Sequence, residues 1–73
     1  MGIPVNIKRF AKAAKFQDVD FVTKWNDLDV YEAYSPDEPF TGYPQYILFN
    51  LSDSALRWAN MEETEKIMEE IDK

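Results

Sequence analysis

Residues 4–16, PVNIKRFAKAAKF, place Ile7, Phe10, Ala11 and Ala14 at i, i+3, i+4 and i+7, one stripe of a helix. Lys8, Lys12 and Lys15 repeat that spacing on another stripe, with Arg9 beside them. The spacing predicts a helix over 6–16, with Asn6 as its N-cap and Pro4 on the approach. At Asp18 the period changes from helical to two. In DVDFVTKW, residues 18–25, strict alternation puts Val19, Phe21, Thr23 and Trp25 on one face of a strand. Asn26 and Asp27 supply turn chemistry, and 28–34 returns as a second strand at hairpin distance.

The next segment, SPDEPFTGYP, contains Pro36, Pro39 and Pro44, none of which can donate to a ladder, so it reads as a loop. Residues 45–51, QYILFNL, give the strongest strand pattern in the chain. A turn at Ser52, Asp53 and Ser54 leads to a short fourth strand over 55–59. Asn60, with Glu63 three positions on, resembles a capping box at the start of a helix over 61–72. Glu62, Glu63 and Glu65 crowd its first turns, where the helix dipole favours anions. Its apolar stripe is Thr64, Ile67, Met68 and Ile71.

The order is α-β-β-β-β-α. The predicted fold is α+β: a small antiparallel sheet of three to four strands with an N-terminal and a C-terminal helix. Both helices are expected on one face of the sheet, with Ile7, Phe10, Phe21, Leu48, Ile67 and Ile71 buried together. That arrangement leaves a problem. Strands two and three carry large apolar groups on both faces, Tyr46 and Leu48 against Ile47, Phe49 and Leu51. Something must cover the second face, either the long loop or another protein chain.

With 73 residues, there is room for one core, so 1–73 is read as a single domain. So short a chain has a thin stability margin, and it has neither cysteine for disulfides nor histidine and thiolate for a metal staple. A 45% apolar content excludes disorder despite the formal charge of −6. Lys12 and Lys15 interrupt any signal-like apolar run, and the longest apolar stretch, Tyr46 to Phe49, is far short of a membrane span. A soluble cytoplasmic protein is the resulting expectation.

Chemistry is scarce. No histidine is available for proton transfer near neutral pH, and the serines at 35, 52 and 54 lack an activating partner. No catalytic residue, cofactor site or metal site is assigned, the chain is not expected to be an enzyme, and a small-molecule substrate is not expected. Asp27, Asp29, Ser35 and Glu38 match positions of a calcium loop, but Glu32 stands where the sharp turn needs glycine.

Charge is unevenly distributed. Lys8, Arg9, Lys12 and Lys15 are half of the eight basic residues, while all fourteen acids follow from Asp18 onward. The basic helix face is a candidate nucleic-acid contact, but the acidic remainder would repel phosphate, so nucleic acid is not the expected partner. The acids support the opposite alternative, an inhibitor that imitates a phosphate backbone, as small proteins of phages and mobile elements do. Asp18 and Asp20 with Asp27 and Asp29 could form a short row, extended by Glu62, Glu69 and Asp72.

Eleven aromatic residues are many for one small core. Tyr31, Tyr34, Phe40, Tyr43 and Tyr46 gather around one loop and form the candidate protein interface. The sequence therefore predicts a small acidic accessory protein that acts by protein–protein contact, as a homodimer or with another chain.

Overall fold

The computed structural model describes residues 3–35 and 44–72. It contains helix α1 (Val5–Ala13), strands β1 (Asp18–Trp25), β2 (Leu28–Tyr34), β3 (Gln45–Asn50) and β4 (Leu56–Trp58), and helix α2 (Met61–Ile71). The four strands form an antiparallel meander in the order β1-β2-β3-β4. The α+β arrangement is that expected from the sequence.

The placement of the helices is not. They lie on opposite faces of the sheet. On one side Ile7 and Ala11 of α1 pack with Val19, Tyr31, Ala33, Ile47 and Phe49. On the other, Ile67 of α2 packs with Val30, Tyr46 and Leu48. Alternation along β2 and β3 sends odd-numbered side chains to α1 and even-numbered ones to α2. The two-sided apolar pattern of β3 is thereby explained, because each face has its own helix. The expected single cluster is split, with Ile7 in one core and Leu48 and Ile67 in the other. Of its other proposed members, Phe10 is only partly buried, and Phe21 and Ile71 are 54% and 45% exposed.

Strand β1 departs from strict alternation. Its pairing with β2 runs Phe21↔Tyr31 and then Thr23↔Val30, so Val22 is an extra residue at a bulge. A single inserted residue reverses the phase of everything after it. Val19 and Phe21 therefore face α1, whereas Val22 and Trp25 pack in the α2 core. The expected common face of Val19, Phe21, Thr23 and Trp25 does not form.

Local geometry accounts for the element ends. Asn26 (φ 49°) and Asp27 (φ 64°) are both left-handed, the requirement of a two-residue type I′ hairpin loop. Helix α1 stops at Ala13 rather than residue 16. Lys15 is left-handed (φ 71°), Lys15 N–H donates to the Lys12 carbonyl, and Phe16 N–H donates to that of Ala11. These two bonds make a Schellman ending, with lysine where glycine is usual. At the other end Pro4, not Asn6, is the N-cap, and no side chain caps the helix.

Candidate functional site

Helix α2 has the better-made start. Asn60 Oδ1 accepts from Glu63 N–H at 2.8 Å, Glu63 Oε1 accepts from Asn60 N–H at 3.1 Å, and the expected capping box is complete. The Glu63 carboxylate also receives both Arg57 guanidinium nitrogens at 2.7 Å, which ties α2 to β4. That bidentate bond, assisted by the Asn60 amide, holds the Glu63 carboxyl down to about 2. Thr64 Oγ1 donates to the Asn60 carbonyl at 2.8 Å. These bonds fix the start of α2 beside β4, and its Ile67 then packs on Val30, Tyr46 and Leu48 of β2 and β3.

The part of this face beside β1 and β2 carries acids. Ahead of the bulge, Asp18 and Asp20 stand opposite Tyr34 and Glu32 of β2, all on the α2 side of the sheet. Partial burial raises the Glu32 carboxyl, and the Asp20 charge raises it further. The Tyr34 hydroxyl is raised by desolvation, then by hydrogen bonding to Asp20 and by the Asp18 and Asp20 charges. Tyr46 is buried beneath, and after burial its hydroxyl is raised by the charges of Glu32 and Asp72. Carboxylates from three elements thus share one field. The exposed side of α2 adds Glu62 and Glu69, with Glu62 paired to Lys66 at 3.3 Å. Among the described residues no group of histidine, cysteine or carboxylate ligands is arranged to hold a metal ion.

The opposite face has the reverse charge. Lys8, Arg9, Lys12 and Lys15 are all exposed on or just after α1, so the basic residues gathered by the sequence pattern do remain together. Between this helix and the start of β1 is a shallow recess of about 160 Å³, lined by Lys8, Ala11, Lys12, Gln17, Asp18 and Val19. It is well below the roughly 300 Å³ at which ligand pockets begin.

The described members of the proposed tyrosine interface do not share one surface. Tyr31 is buried on the α1 side and Tyr46 on the α2 side, so their rings belong to different cores. Tyr34 is half-buried among Asp18 and Asp20, and Phe40 and Tyr43 lie outside the described residues. The aspartate row is also divided. Asp27 sits in the hairpin turn, and Asp29 lies on the α1 side, where the Tyr31 hydroxyl is raised by burial and then by the Asp29 charge, across the sheet from Asp18 and Asp20. The Arg57–Glu63 pair and the bulge at Val22 were not anticipated. The two-sided apolar pattern of β2 and β3 was the sequence signal for a helix on each face.

No protein-family model, curated protein or solved structure matches this chain. Among the described residues no helix is long and apolar enough to cross a membrane.

Proposed function

We propose that the protein acts by protein–protein contact, presenting the carboxylate face of α2, β1 and β2 to a basic surface on another protein. The observation that carries this reading is the segregation produced by the two-sided sandwich. Each sheet face carries its own helix, so the two-sided apolar pattern of β3 does not call for an outside chain, and the most distinctive feature of the surface is charge. Asp20, Glu32, Glu69 and Asp72 form an acidic field on one side, away from the basic helix, while Asp18 at its edge also lines the recess beside Lys8 and Lys12. Basic surfaces of that complementarity are common on nucleic-acid-binding proteins, so the partner class includes those whose phosphate contacts a carboxylate array would imitate. A contact role without catalysis is in keeping with the small recess and the lack of histidine.

The test is affinity capture from cell extract with three baits: the wild-type chain, D20K/E69K and K8E/K12E. Basic proteins retained by the wild type and by K8E/K12E, but lost with D20K/E69K and with rising salt, are the expected result. Retention that ignores the acidic substitutions would refute the reading.

A further inference from the structure

We infer that the basic face of α1 docks on the acidic face of a second copy of this chain, giving a weak head-to-tail association. The two faces look outward from opposite sides of one sheet, so neither can meet the other within a molecule. Between molecules they can. On α1 the outward stripe is Lys8, Lys12 and Arg9 around Val5, which is 63% exposed. On α2 the corresponding stripe carries Glu62 and Glu69, continued by Asp72, with Asp20 on the neighbouring strand. The helices have similar lengths, 9 and 11 residues, so the charged stripes are matched in extent.

The formal charge of −6 on each copy does not prevent this. The molecule measures 31 × 27 × 22 Å, and two helices on opposite sides of a sheet lie on the order of two Debye lengths apart at physiological ionic strength. At such a separation each face interacts mainly with what is directly before it, and the distant charge is screened. Opposed unlike faces attract locally although the whole molecules bear the same sign. Because the surfaces in contact differ, the interface is heterologous, and a third copy could add to either end. The inference is independent of any other partner, and its test contains this chain alone.

Sedimentation equilibrium over a wide concentration range, at about 150 mM salt, where the distant charge is screened, and at about 500 mM, is the measurement. The wild type should gain average mass with concentration at the lower salt and return to monomer at the higher. K8E/K12E should remain monomeric. E69K/D72K is the stringent case: each change adds two positive charges, moving the formal charge from −6 to −2. General repulsion would then fall and association would rise, whereas face complementarity requires it to be lost. Lysines in the last turn of α2 suit the helix dipole, so this variant should keep its fold, checked by circular dichroism. An equimolar mixture of the two variants should recover the lost association. A wild-type monomer at both salts, stronger association of E69K/D72K, or no recovery on mixing would each overturn the inference.

Discussion

The two layers flanking the sheet are held by different means. Helix α1 has no side-chain cap, no acid in its first turn and a lysine at the left-handed position of its ending. It is held by packing: Ile7 and Ala11 are buried, and Phe10 and Phe16 lie 5.2 and 5.6 Å from the Trp58 ring. Helix α2 has the smaller core, with Ile67 as its fully buried apolar anchor, but its start is locked by the capping box and by Arg57. A poor local signal can be offset by tertiary contacts, and a thin apolar contact by good local bonds. In a chain of this size each helix appears on a different side of that balance.

Truncating each helix's buried isoleucine is the strongest way to break the comparison. Ile7→Ala and Ile67→Ala should each cost about 2–5 kcal/mol, with Ile7 the more costly because its surroundings are larger and more aromatic. Urea denaturation gives both values. A larger loss for Ile67 would mean that the α2 layer carries the fold. Next comes Asn60→Ala, expected to cost about 1 kcal/mol and to speed amide exchange in the first turn of α2 while leaving α1 unchanged. Uniform acceleration across both helices would show that the cap supports the whole fold.

Acid should act on the α2 layer in two opposed ways. Glu63 has a folded value near 2 against an ordinary 4.5, so the unfolded chain binds the proton first. Its contribution is present above about 4.5 and is lost as pH falls toward 2. Glu32 is raised in the fold, so it adds stability as pH falls through the range just above its ordinary 4.5. The melting temperature should therefore pass through a maximum in weak acid and then drop. Arg57→Gln should flatten the drop, and an unchanged acid limb would show that the pair with Glu63 is not its cause. The smallest expected effect is a gain. Lys15→Gly should stabilise the chain by about 0.5–1 kcal/mol, because glycine adopts the left-handed conformation without a Cβ clash.

Much of the local structure was legible along the chain. The Asn60–Glu63 cap, the Asn26–Asp27 turn and the change from helical to alternating period each depend on residues within a few positions of one another. The gathering of cations on α1 was legible for the same reason. The candidate tyrosine interface was not, because neighbouring positions on a strand point to opposite sides, and what lies on each side is set by remote elements. Tyr31 and Tyr46 looked like surplus surface aromatics only while both helices were assigned to one face.

The sequence by itself determined the six elements, their order and the sign of charge that each carries, since these follow from short-range periodicity and capping. Only the tertiary structure decided the rest: one helix to each side of the sheet, the phase reversal at Val22, and the separation of a basic face from an acidic one. The physical reason is that an apolar stripe states how much surface must be buried but not against which partner. Strand β3 offers two apolar faces, and covering only one would leave Tyr46 and Leu48 or Ile47 and Phe49 in water. Placing a helix on each buries both sets, and the charges on the outer sides of those helices then have nowhere to go but opposite ends of the molecule.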